Sequence, residues 1–104
     1  MSGVPELVVL RLLARREMYG YEIARTLKMV SQDALTLGEG VLYPALHALE
    51  ARGLLQALPR QVEGRMRIYY RLTARGRRRL ERLAANWRQM SAGVERILGA
   101  ADHD

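Results

Sequence analysis

The segment Glu39–Leu55 reads EGVLYPALHALEARGLL, and the way it is read decides the fold. Set on a helix, Leu42, Leu46 and Leu49 fall on one face, with Ala45 beside them. Tyr43, His47 and Glu50 share another face. Gly53 stands where a left-handed residue would close the helix, and Leu54 follows to pack back on it. Proline is harmless only in a helix's first turn, so Pro44 implies either a helix start near Val41 or an irregular first turn from about Gly38; the latter is expected, with loosened backbone where the helix meets its target. An apolar underside and an upper face carrying Tyr43 and His47 describe a recognition helix. The same pattern also describes an ordinary surface helix, so the flanking segments decide.

Upstream, a first helix is expected to start near Pro5, whose fixed φ suits a first turn. Leu7, Leu10, Leu13 and Ala14 line one side of it, and Val8, Val9 and Leu12 widen the stripe enough to place it at the centre of a small core. Gly20 marks a turn or a tight helix start. Ile23, Ala24, Leu27 and Val30 then form a second stripe. Tyr19 and Tyr21 flank Gly20, where hydroxyls and free backbone donors could hold a phosphate; either ring could instead belong to the core. Ser31–Glu39 is a polar connector whose Leu35 and Leu37 are expected to tuck inward.

Downstream the period changes. Leu54–Pro59 is short and apolar, and Ile68–Leu72 alternates, with Ile68, Tyr70 and Leu72 expected inward and Tyr69 and Arg71 outward. Between them lies RQVEGRMR with Gly64 at its tip, which reads as a β-hairpin with a basic loop. Two helices, a recognition helix and a basic hairpin make a winged helix-turn-helix over residues 1–72, with the hairpin as the wing. Thr73 can cap a last helix, although Gly76 stands where a capping box wants Glu. From Leu80 the apolar residues keep a heptad through Leu83, Trp87, Met90, Val94 and Ile97 to Ala101. A seam of that length seeks a partner helix. A second copy of the chain is the expected partner, which makes residues 73–104 a dimerisation helix and a tail frayed from Ala100. No internal repeat or low-complexity tract is visible.

At 104 residues the length suits one domain, and a 49% hydrophobic fraction suits a globular one. Cysteine is absent, which excludes disulfides, thiolate metal sites and Cys nucleophiles. No apolar run approaches a membrane span and no signal-peptide pattern opens the sequence, so a cytoplasmic location without membrane contact is expected. The net charge is +6, and nine arginines between Arg60 and Arg82 face only Glu63 and Glu81. Such a basic segment in a small domain points first to nucleic acid. No HExxH motif, phosphate loop or facing carboxylate pair is present. His47 has no metal-ligating neighbour in sequence, so neither an enzyme nor a metal or cofactor site is expected.

YGYEI at 19–23, the quoted segment, RIYYRLTARG at 67–76 and Trp87 in the last helix together resemble the PadR family of bacterial transcriptional regulators. The resemblance runs over nearly the whole chain, in order, and the short C-terminal helix is similar to the smaller of the family's two size classes. It implies a homodimeric winged-helix repressor, often one released by a small aromatic compound. It also implies an aromatic platform between subunits, for which Trp87 and Met90 are the candidates. The chain departs from the family's frequent pattern at Met18–Tyr19, at Val41 before LYP, and at Arg67–Ile68, where one wing charge is lost.

The expectation is therefore a mainly α fold with a small β-hairpin that binds a palindromic double-stranded operator. Tyr43 and His47 would lie toward the major groove, with Gly40 in the same contacting set. Tyr19 and Tyr21 would clamp backbone, and Arg65 and Arg67 would reach phosphates or the minor groove. The dimer would be joined through Leu80, Leu83, Trp87, Met90, Val94 and Ile97. The rival is a winged-helix protein-interaction module without DNA binding.

Overall fold

Pro5 sits in the first turn of α1 (Val4–Leu13), as its fixed φ favours. In the computed structural model, which describes residues 3–100, this helix is followed by β1 (Met18–Tyr19), α2 (Gly20–Val30) and α3 (Glu39–Ala51). Strands β2 (Leu55–Val62) and β3 (Arg65–Leu72) and the long α4 (Ala74–Ala100) complete the order. The sheet is antiparallel in the order β1–β3–β2. Four helices and this small sheet give the mainly α winged-helix architecture that the sequence predicts. No helix among the described residues is long and apolar enough to cross a membrane.

The core is a leucine-rich wedge. Val9, Leu10, Leu12 and Leu13 of α1 meet Ile23 and Leu27 of α2 and the Leu42–Leu46–Leu49 stripe of α3. Met18, Tyr70 and Leu72 close it from the sheet side. Two expectations need correction, Val30 on the α2 stripe and Leu35 in the connector. Val30 and Leu35 are exposed, because α2 has turned its last residue past the core, while Leu37 does pack against it.

Helix α3 begins after Gly38, so Pro44 lies beyond the first turn and has no N–H for the Gly40 carbonyl. It ends as its sequence predicts. Gly53 adopts φ +75°, its N–H donates to Glu50 O at 2.9 Å and that of Leu54 to Leu49 O at 3.0 Å. That is a Schellman closure, and it folds Leu54 back into the core.

The hairpin is longer than expected. Pairing continues to Val62 opposite Arg65, and Glu63 and Gly64 make the turn with φ of 52° and 77°. Two successive left-handed residues give the turn type whose twist matches its strands. Alternating burial stops where the ribbon leaves the core, but backbone pairing does not. For the same reason Ile68, expected inward, is 39% exposed, whereas Tyr70 and Leu72 are buried. Pro59 is tolerated because β2 is an edge strand. Strand β1 was not anticipated: two residues carry no readable period, yet Met18 pairs with Tyr70 and Tyr19 with Tyr69.

Thr73 caps α4 by accepting the Gly76 N–H at 3.0 Å, and its hydroxyl reaches Gly53 O at 2.8 Å. A Cβ on Gly76 would stand 2.1 Å from Leu54 O and 2.7 Å from Leu72 Cδ1. This close approach explains why glycine occupies the position where a capping box wants Glu. Helix α4 is about 40 Å long at 1.5 Å per residue, which stretches the molecule to 63 Å against 28 and 22 Å across. Ala101 and His103, in the expected end of the seam and the tail, lie outside the described residues.

Candidate nucleic-acid interface

The first residue of α2 and the exposed face of α3 are in van der Waals contact. Gly20 is buried, and a Cβ there would lie 2.6 Å from Tyr43 Oη. Only a residue without a side chain lets the Tyr43 ring rest against the start of α2. The sequence marked Gly20 as a turn signal; that it seats Tyr43 could not be read from spacing.

Tyr19 precedes α2 in extended conformation, and its N–H donates to Glu22 Oε1 at 3.2 Å. Its ring lies 6.5 Å from that of Tyr21, roughly parallel, and 5.4 Å edge-on from that of Tyr69. Each ring of this ladder carries a guanidinium: Arg67 over Tyr19 at 4.6 Å, Arg60 over Tyr69 at 4.8 Å, and Arg25 over Tyr21 at 5.7 Å. Stacking on a ring face fixes a guanidinium while leaving its in-plane N–H groups free to donate. Arg60 also pairs with Glu17 at 2.5 Å. Tyr21 is 61% exposed, which places it on the surface and not in the core. Tyr69, Arg60 and Arg25 were not singled out in the sequence. The register of β1 on β3 brings Tyr69 beside Tyr19, and that strand was invisible.

These side chains border a cleft of about 340 Å³ lined by Tyr19, Gly20, Tyr21, Tyr43, His47, Met66, Arg67, Ile68 and Tyr70. Five of the seven residues expected to contact DNA therefore converge. The other two stand apart from the lining: Gly40 in the exposed first turn of α3, and Arg65 at the wing tip. No carboxylate lines the cleft. At its floor the Tyr70 phenol has its pKa pushed above the usual value by burial, with the charges of Glu50 and Tyr43 adding to the rise. It therefore remains a neutral donor at physiological pH.

The α4 seam divides into two parts. Leu80 is only 7% exposed and Leu83 packs against the same core, so both already have partners within the chain. The assignment of Leu80 to an exposed seam is thereby corrected: α1 covers the first turns of α4 and stops there. Trp87, Met90, Val94 and Ile97 stay open, Trp87 at 42% and Ile97 at 70%, and Leu98 joins them. Trp87 stands between two shallow apolar hollows. One, of about 300 Å³, includes Leu7, Leu12, Leu27 and Val30; the other, of about 330 Å³, includes Leu7, Leu83 and Met90. Among the described residues no group of His, Cys, Asp and Glu is placed to hold a metal ion.

The chain is similar to known transcriptional regulators. The model of the transcriptional regulator PadR-like family matches residues 9–82. Transcriptional regulator Rv3488 of Mycobacterium tuberculosis is 35% identical over 95 residues, covering 91% of this chain and 83% of that protein. The crystal structure of a PadR family transcription regulator from Clostridium difficile R20291 is 30% identical with a TM-score of 0.78, over 92% of this chain and 99% of the other. A PadR-like transcriptional regulator from Bacillus cereus is 28% identical with a TM-score of 0.79, over 93% of each chain.

Proposed function

This chain belongs to the PadR-like family of transcriptional regulators, and on that premise we propose that it is a homodimeric repressor of a palindromic operator. The family is one of regulators and not of enzymes. The observation that carries the DNA reading is the convergence of Tyr43 and His47 with the arginine-capped tyrosine ladder in a cleft free of carboxylates. In this reading Tyr43 and His47 meet base edges from the exposed face of α3. Tyr19 and Tyr21 hold backbone, and Arg65 and Arg67 reach phosphates or the minor groove. Gly40, whose carbonyl Pro44 cannot satisfy, contributes backbone at the contacting turn.

Residues 1–72 act as the DNA-binding unit and residues 73–104 as the dimerisation helix and tail. The unpartnered apolar face from Trp87 to Leu98 supports a second copy as its cover. Completing the burial of Trp87, Met90 and Val94, already about half covered, is worth about 1 kcal/mol each, from about 1.5–3 for full burial. A planar aromatic effector lodging beside Trp87 and Met90 would alter the separation of the two α3 helices and lower operator affinity.

The test is binding to duplex DNA across a salt series. Half-sites about 10 bp apart are expected, centre to centre. Tyr43→Ala and His47→Ala should change which sequence is preferred. Arg65→Ala and Arg67→Ala should weaken all sequences alike and each flatten the salt slope by about one unit. Equal affinity for the upstream region of the chain's own gene and for mixed-sequence DNA, at every salt, would count against the repressor reading. A protein-interaction module would bind neither.

A further inference from the structure

A second basic surface lies away from the cleft. Arg52 at the end of α3 and Arg75, Arg78, Arg79 and Arg82 on the first turns of α4 surround a hollow of about 380 Å³. Glu6 answers two of them, Arg52 at 3.2 Å and Arg79 at 3.0 Å. Arg75, Arg78 and Arg82 are exposed and have no carboxylate within 4.0 Å among the described residues. They are three and four residues apart, so they form one stripe about 10 Å long on one helix face.

The position of this stripe is electrostatically unfavourable. A helix N-terminus carries about half a positive charge and is normally answered by Asp or Glu. The first turn of α4 holds no acidic residue; Arg75 and Arg77 stand in it instead, and Arg78 and Arg79 follow in the next turn. The repulsion is relieved when an anion with several charges sits on the stripe.

Location separates the stripe from the cleft. The ideal Gly53 Cβ would lie 3.9 Å from Arg75 Nη1, at the end of α3 and the base of the wing. The hollow and the cleft share no lining residue. The lining selects among polyanions. Its only apolar member, Leu54, is 4% exposed, so there is no anchor of the kind on which protein partners rely. It contains no aromatic ring on which single-stranded bases could stack. A row of guanidinium groups alone fits the repeating phosphates of a duplex, which are read without regard to sequence.

We infer that Arg75, Arg78 and Arg82, with Arg52 beside them, form a second, sequence-independent contact for duplex DNA. One molecule can then hold two duplex segments. The inference rests on the DNA-binding reading of the cleft. To test it, the wild-type protein is loaded on an immobilised mixed-sequence duplex and the capture of a second, fluorescent mixed-sequence duplex is followed across a salt series. Wild type should capture it. The Arg75→Gln/Arg78→Gln/Arg82→Gln variant should load on the first duplex but fail to capture the second, and its melting temperature should equal or exceed that of wild type. Each single Arg→Gln variant should reduce the salt slope of capture by about 0.9. Undiminished capture by the triple variant, with unchanged slopes in the single variants, overturns the inference while leaving the cleft intact as a DNA site. That result would point to an acidic protein as the occupant of the stripe. If wild type loads on no duplex at all, the DNA reading and this inference fall together.

Discussion

Tyr43 rests against Gly20 so closely that a methyl group on the glycine would stand 2.6 Å from the phenol oxygen. The start of α2 thus fixes the orientation of a side chain on α3, and the two cannot be varied independently. Gly20→Ala is expected to displace the ring at a cost of about 1–3 kcal/mol, as overpacking usually does. In a Tyr43→Ala background the same substitution should be neutral or slightly stabilising, since alanine favours the helix. A double-mutant cycle by urea denaturation measures the coupling. Additive effects would mean that the contact carries no energy.

Leu80 and Val94 occupy equivalent heptad positions but different environments. Leu80→Glu places a carboxylate in the protomer's own core and should unfold the chain. Val94→Glu or Ile97→Glu alters only an open face and should give a folded monomer. Circular dichroism and sedimentation together distinguish the two outcomes. Wild-type protein that sediments as a monomer at micromolar concentration would remove the dimer.

Trp87 is the only tryptophan, so its fluorescence reports on one place. Titration with planar phenolic acids and cationic dyes should quench it saturably and release operator DNA over the same concentration range. Quenching with unchanged DNA affinity would leave a pocket but no switch. Absence of quenching in a dimer that still binds DNA would make Trp87 a packing residue.

The pH response of stability should carry a Tyr70 signature. Its folded pKa is raised above 10.0, chiefly by burial, so the folded state holds this proton more tightly than the unfolded state. That contribution is complete below pH 10.0 and is lost as pH climbs toward the raised value. Tyr70→Phe should flatten the alkaline decline in stability without changing the slope near neutrality. Parallel alkaline curves for the two proteins would exclude the effect.

The parts legible in the sequence were those in which side-chain periodicity coincides with burial. The Leu42–Leu46–Leu49 stripe, the Gly53 closure and the Tyr70–Leu72 alternation all carry their neighbours in their spacing. Five of the seven expected DNA-facing residues converge on one cleft for the same reason: they lie on the solvent side of elements whose buried side was readable. The remainder depends on register and close approach. Tyr69 joins the site through a two-residue strand with no period, and Arg60 and Arg25 enter through ring contacts that no spacing encodes. Leu80 and Ile97 carry one heptad signal, but only the length of α1 decides which of them is already covered.

Two glycines in this fold exclude a side chain, yet they allow different evolutionary histories. The obstacle at Gly20 is the side chain of Tyr43, so a change at one position can be compensated at the other. At Gly76 the nearest obstacle is the carbonyl oxygen of Leu54, an atom that every amino acid carries. No replacement at position 54 removes it, and drift at position 76 therefore has no second-site escape while α4 starts where it does. The reading face of the molecule can be retuned by paired substitutions, whereas the joint between the wing and the long helix is closed to that route.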